Sequence, residues 1–206
     1  MEQLPPLRIL VQPRAMYRIR YRTNTVDQPI RAFRFILGEE NINGLAYPTI
    51  EIPNEWKDKM QENFYIRLTH VTVPNDQVPE RCIHPYNIDV NEDNVIKDPK
   101  TNSLYFPVSA IDLENGQKSF RFCLSKMVQI ELRNYGPLKL LDSYEIHEQS
   151  LVDPSNTKRI IELYQLTHSQ IRFSIAAISD HNNQLPITYA CSSVYSHVMS
   201  GVQAAN

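Results

Sequence analysis

The chain predicts an all-β sandwich with one short helical insertion. Three observations carry this: two-residue apolar alternation recurs along almost the whole length, fourteen prolines but only five glycines are scattered through it, and one window has helical spacing instead. Alternation places every second side chain on one face of a strand. Prolines interrupt helical bundles but are accommodated at the bends and edges of a sandwich. The 206 residues fit a single β domain, a class that runs to about 200–250 residues.

In order, alternation predicts strands at 7–11, 17–22, 48–52, 64–73, 104–109, 119–124, 127–133, 170–178 and 187–196. Around residue 173, Ile171, Phe173, Ile175 and Ala177 share one face while Arg172, Ser174 and Ala176 share the other, the pattern of an antiparallel sheet wet on one side. Asp180-His181-Asn182-Asn183-Gln184 supplies turn residues, and Leu185-Pro186 restarts an extended segment. One stretch departs from the β pattern. After Asp153-Pro154-Ser155-Asn156, an N-cap type sequence, Ile160, Ile161, Leu163, Tyr164 and Thr167 recur with helical spacing, which predicts one helix of about ten residues. The polar stretch Asn87–Asn102 reads as a mobile surface loop.

Charge is distributed unevenly. Residues 1–38 hold seven arginines (Arg8, Arg14, Arg18, Arg20, Arg22, Arg31, Arg34) against Glu2 and Asp27, a local balance of +5. The other 168 residues carry 14 basic and 21 acidic side chains, or −7, so the total of −2 hides two opposite poles. A guanidinium fork matches phosphate, and the O6/N7 edge of guanine, with two parallel hydrogen bonds; an ammonium acts only as a point charge. The arginine-rich end therefore suits nucleic acid. The same alternation of Tyr17, Ile19 and Tyr21 with Arg18, Arg20 and Arg22 would equally describe a half-buried strand with a solvated outer face.

Other chemistries are poorly served. Cys82, Cys123 and Cys191 are odd in number and lack Cys-x-x-Cys spacing, so neither a disulfide scaffold nor a zinc site is indicated; all three read as small apolar fillers. Asp89-Val90-Asn91-Glu92-Asp93-Asn94 begins like a calcium loop, but its sixth and twelfth places hold Asn94 and Lys100 where glycine and glutamate are needed. His147-Glu148 lacks a second histidine one helical turn on, and His70, His84, His168, His181 and His197 are scattered. No nucleophile elbow or phosphate-cradling glycine loop is present. The expectation is no enzyme, no cofactor and no metal. Met1-Glu2-Gln3-Leu4-Pro5-Pro6 lacks a basic and then apolar leader, and no apolar run approaches the ~18 residues of a membrane span. A cytoplasmic and nuclear location with no membrane partner is expected.

Gln12-Pro13 followed by Arg18-Ile19-Arg20-Tyr21 resembles the Gln-Pro…Arg-Phe-Arg-Tyr recognition loop of the Rel homology region, the DNA-binding module of NF-κB/Rel and, more distantly, NFAT transcription factors. Tyr47-Pro48-Thr49-Ile50-Glu51-Ile52 is similar to the family's Tyr-Pro-x-Val-x-Ile strand. Ile66-Arg67-Leu68-Thr69-His70, with Pro74 and His84-Pro85, resembles its Leu-Val-Thr…His-Pro-His stretch. Gln170-Ile171-Arg172-Phe173, Leu185-Pro186 and Val194-Tyr195-Ser196 resemble its closing hairpin. These matches are collinear over 7–200. They imply an immunoglobulin-like antiparallel β-sandwich with a short helical insertion.

The resemblance also implies roles. Arg18 and Arg20 would hydrogen-bond guanines in the major groove, Tyr21 would pack on backbone and bases, and Asn24 would contact a base, while Arg14, Arg22 and Thr23 would contact phosphates. Three positions depart from the family. Thr23 stands where cysteine is usual, keeping a hydroxyl for phosphate but losing redox sensitivity. Asn24 stands where glutamate is usual, and asparagine prefers adenine. Val26 replaces a basic or polar contact. The resemblance implies an N-terminal DNA-binding domain over 1–200 with 201–206 as a tail, and the family's second, dimerisation domain is expected to be absent. Double-stranded DNA is the partner implied, with a Rel-family partner or an inhibitor protein as a second, and a monomer is expected for this chain alone. Two functions stay open: a sequence-specific DNA reader, and a degenerate Rel-like regulator or decoy that binds protein and little DNA.

Overall fold

The computed structural model describes residues 5–21, 34–57, 64–135, 137–143, 156–178 and 185–202, with Arg20 and Tyr21 described by their backbone alone. In chain order the elements are β1 (Arg8–Val11), β2 (Met16–Arg18), β3 (Arg20–Tyr21), β4 (Thr49–Glu51), α1 (Asn54–Lys57), β5 (Phe64–Val71), β6 (Asn87–Asp89), β7 (Ile96–Asp98), β8 (Ser103–Pro107), α2 (Ala110–Asn115), β9 (Gln117–Ser119), β10 (Cys123–Lys126), α3 (Gln129–Tyr135), α4 (Thr157–Leu163), β11 (His168–Ala177), β12 (Ile187–Thr188), β13 (Val194–Tyr195) and β14 (Met199–Val202). The large sheet runs β2-β14-β11-β5-β8-β7, with β12 and β13 also pairing β11; two smaller sheets run β1-β4-β9 and β3-β10-β6. Most pairs are antiparallel. The immunoglobulin-like sandwich expected from the sequence is the fold observed.

The core lies where the alternation placed it. Ile66 and Leu68 of β5 and Ile171, Phe173 and Ile175 of β11 are fully buried and meet Ile50, Ile52, Phe120 and Phe122 from the facing layer. Phe120 stands edge-on to Phe106 at 5.2 Å and tilted against Phe173 at 5.4 Å. Each such side chain, removed from water, contributes about 1.5–3 kcal/mol. A second, smaller cluster forms between α3, α4 and the 78–86 segment, with Val78, Cys82, Tyr86, Leu132, Leu138, Ile160, Tyr164 and Leu166 buried.

Several local expectations are corrected. Residues 127–133, expected as a strand, lie largely in helix α3. A short apolar run does not separate strand from helix by itself; here the Glu131 carboxylate accepts from the Val128 N–H at 3.3 Å, closing the first turn. The expected ten-residue helix is the seven-residue α4, started by Asn156, whose side chain accepts from Arg159 N–H. Helix α2 was not anticipated, although Ser109 and Asp112 form a reciprocal capping box and Gly116 ends the helix at φ 67°. The stretch Asn87–Asn102, expected as a mobile loop, contains β6 and β7, and Asn102 is buried, donating to the carbonyls of His84 and Tyr86.

The outer face of β11 is not wet. Arg172, Ser174 and Ala176 are all at most 7% exposed. The following segment folds over them, so that the Arg172 Nε–H donates to Ser193 Oγ at 3.0 Å and the Ser174 and Ser193 hydroxyls meet at 2.8 Å. The same segment, expected as one strand over 187–196, is interrupted by a 3-10 turn at Ala190–Ser192. Ser192 and Ser196 hydroxyls accept the Ile175 and Ile171 N–H groups. Side-chain oxygens thus satisfy donors that a continuous partner strand would have satisfied.

Candidate nucleic-acid interface

The arginine segment leaves β1 through a short, well-tied passage. Gln12 Oε1 accepts the His197 N–H at 3.0 Å, its carbonyl accepts the Glu39 N–H at 2.8 Å, and the Pro13 carbonyl faces His197 Nε2. His197 Nδ1 lies 3.4 Å from a Glu39 carboxylate oxygen. Pro13 pairs with Gly38 across an isolated bridge. A Cβ on Gly38 would come within 2.6 Å of Val11 Cγ1 and 3.0 Å of the Tyr47 carbonyl carbon, so this crossing requires glycine. Arg14 is exposed; its backbone N–H donates to Leu37 O and its Nε–H to Gly38 O at 3.2 Å.

From there the segment is threaded between two sheets. Strand β2 pairs in parallel with β14, matching Met16 to Ser200, Tyr17 to Gly201 and Arg18 to Val202. Strand β3 pairs in parallel with β10, matching Arg20 to Ser125 and Tyr21 to Lys126. Ile19, between them, marks the change of partner. Its side chain packs on the second hydrophobic cluster, while Tyr17 packs on the main core. Burial raises the Tyr17 phenol to about 12, against a smaller opposing effect of the Ser169 side chain, so it stays a neutral packing group. Gly201 makes the close approach feasible, since a Cβ there would lie 3.3 Å from Ile19 Cδ1 and 3.4 Å from the Tyr17 oxygen.

Arg18 stands between these two anchors and is exposed. Inward residues held by two separate cores, with a guanidinium projecting between them, present charge to solvent on a fixed backbone. The alternation read from the sequence is therefore real for Tyr17, Arg18 and Ile19. Arg20 and Tyr21 continue the run as backbone, and Arg22, Thr23, Asn24 and Val26 lie outside the described residues.

Beneath the segment is a polar support that sequence reasoning missed. His70 and His84 stack with ring centroids 4.1 Å apart, both buried. His70 Nδ1 is 2.7 Å from the Tyr86 carbonyl, and His84 Nδ1 accepts the Tyr86 N–H at 3.1 Å. Asn102 clamps the same strand entry, its Nδ2 on Tyr86 O and its Oδ1 on the Ile88 N–H. This fixes β6, which pairs with β10, which in turn pairs with β3. Burial holds His70 down to about 4 and His84 well below its ordinary value, the neighbouring His70 adding to the effect on His84. Both rings are neutral struts.

The thiols divide. Cys82 is buried and Cys123 half-buried, as small fillers should be, but Cys191 is exposed in the 3-10 turn. Cys123 belongs to β10, two residues before the partner of Arg20. Burial raises it to about 11. Among the described residues, no group of three His, Cys, Asp or Glu side chains is arranged to hold a metal ion, and no helix is long and apolar enough to cross a membrane.

An immunoglobulin-like sandwich thus carries an arginine-bearing strand between its sheets. No protein-family model matches the sequence, and no curated protein matches it. In structure the chain is similar to the Dorsal homologue Gambif1 bound to DNA, with a TM-score of 0.55 at 12% identity, covering 95% of this chain and 98% of that one. The likeness supports a Rel-like fold over nearly the full length.

Proposed function

We propose that this chain is a Rel-type DNA-binding domain that reads a guanine-containing half-site in the major groove through its arginine segment. The observation that carries the reading is the exposed Arg18 between two half-buried anchors, Tyr17 and Ile19, each packed on a separate hydrophobic cluster. It occurs in a fold shared with a Rel protein bound to DNA. Arg18 and Arg20 take the O6 and N7 acceptors of guanine, Tyr21 packs beside them, and Asn24 shifts preference toward adenine at the neighbouring pair. Arg14, Arg22 and Thr23 meet phosphates and set the register without carrying sequence information. The chain binds one half-site as a monomer, with a cytoplasmic and nuclear location.

The direct chemical test replaces guanine in the bound half-site by 7-deazaguanine, which removes the N7 acceptor and leaves the phosphates untouched. Each replaced guanine keeps O6 and loses one of its two acceptors, so affinity is expected to fall by part of the about 1–3 kcal/mol that a bidentate guanine contact is worth. Unchanged affinity would rule out guanine reading through N7, and absence of measurable binding to any duplex would favour the regulator reading.

A further inference from the structure

A second cationic feature lies on the outer face of the large sheet and shares no residue with the arginine segment. A cleft of about 560 Å3 opens there, lined by Arg67 and Arg172 together with Lys100, Lys139, Leu185 and Ile187. Its volume is within the range of about 300–1,000 Å3 typical of small-molecule sites. Thr69 pairs with Arg172 and Ser174 with Arg67, so the two arginines are diagonal neighbours on one face of β5 and β11, positions about 7–8 Å apart.

Both are buried, at 6% and 7% exposure. Their partners differ. Arg172 has a counterion, its NH1 lying 2.5 Å from an Asp142 carboxylate oxygen. Arg67 makes no ion pair among the described residues. Its Nε, NH1 and NH2 donate to the hydroxyls of Ser103, Thr188 and Thr101 at 3.1, 3.0 and 2.9 Å. The carboxylate in that network, Asp98, is reached only through the Thr101 hydroxyl. The Tyr105 ring, 5.5 Å from Arg67 Cζ, offers partial compensation. Neutral hydroxyls orient a guanidinium without cancelling its charge, and a buried cation lacking a counterion is costly.

The lining carries four basic groups (Arg67, Lys100, Lys139, Arg172) against two acidic ones (Asp98, Asp142), a surplus of +2. Beside them Leu185 and Ile187 leave 45% and 59% of their surface to solvent. We propose that this cleft binds a small organic oxyanion, a phosphate monoester or a carboxylate on an apolar body. The charged oxygens sit between Arg67 and Arg172, and the apolar part covers Leu185 and Ile187. An oriented planar fork favours an oxyanion over a spherical halide, since it offers two parallel donors.

Calorimetric titration of the whole chain with phenyl phosphate, benzoate and inorganic phosphate tests this. An aromatic anion is expected to bind at least about tenfold more tightly than inorganic phosphate, and the tighter of phenyl phosphate and benzoate identifies the headgroup. Arg67→Met should abolish binding. Lys139→Glu, on the exposed wall and safe for the fold, should weaken it by roughly tenfold or more, and it carries the test alone if Arg67→Met fails to fold. Arg18→Ala should leave it unchanged. The proposal is overturned if no aromatic anion binds at millimolar concentration, if inorganic phosphate binds equally well, or if Lys139→Glu is without effect.

Discussion

Mild acid should weaken this fold through the stacked pair His70 and His84. Both rings are buried and neutral, His70 held down to about 4 and His84 lowered in the same direction, chiefly by burial. In the unfolded chain each regains a value near 6.5. The folded values are depressed, so the unfolded state binds more protons below that point; the stability contributed is complete above about pH 6.5 and is lost as pH falls toward 4. For His70 the loss between about pH 7 and pH 5 is on the order of 2 kcal/mol, and His84 adds to it in the same window. That is a large fraction of the roughly 5–15 kcal/mol that holds a domain together. Urea unfolding midpoints measured across this range give the slope directly. His70→Asn retains an N–H donor for the Tyr86 carbonyl and removes one titrating group, so its slope should be visibly shallower. Equal slopes in the two proteins, or a native His70 that titrates near its ordinary value by NMR, would exclude the histidine pair as the source of acid sensitivity. Because the pair fixes Tyr86, and through β6 and β10 the backbone of Arg20, DNA binding should weaken over the same interval.

Arg18→Ala is expected to reduce specific DNA affinity by about 1–3 kcal/mol in a binding titration while leaving thermal stability unchanged, since the side chain is exposed. Gly38→Ala forces a methyl to within 2.6 Å of Val11 Cγ1, and overpacking of this kind should cost about 1–3 kcal/mol of stability by urea unfolding. Mild thiol oxidation should leave DNA binding intact: burial keeps Cys82 and Cys123 protonated, each at about 11, and Cys191 lies in the Ala190–Ser192 turn. A dithiothreitol-reversible loss of binding would contradict that.

Features set by short-range pattern were legible in the sequence. The inward and outward alternation at Tyr17, Arg18 and Ile19, the core face of β11 and the cap at Asn156 each follow from a few neighbouring residues. What was missed depends on contacts far along the chain. His197 ties down Gln12 and Pro13 from 185 and 184 residues away, and the parallel pairing of β2 with β14 joins the two ends of the described chain. Gly201 lies inside the short strand β14, at a place where two strands come close. The face of Arg172 and Ser174 departs from its pattern for a related reason: polar residues read as solvated, yet a folded-over segment supplies their partners. Helix α3 is not legible in the sequence, since seven residues with one buried side chain, Leu132, do not declare a period.

A salt-dependent competition decides whether the arginine segment reads DNA sequence. The chain is titrated against a guanine-rich duplex and a scrambled control at low and at physiological salt. Phosphate contacts weaken together as salt rises, whereas base contacts preserve the ratio between the two duplexes. Affinity for both duplexes should fall with salt while the preference for the guanine-rich site persists, and Arg18→Ala should diminish the preference. Equal affinity for both duplexes at every salt concentration would contradict it.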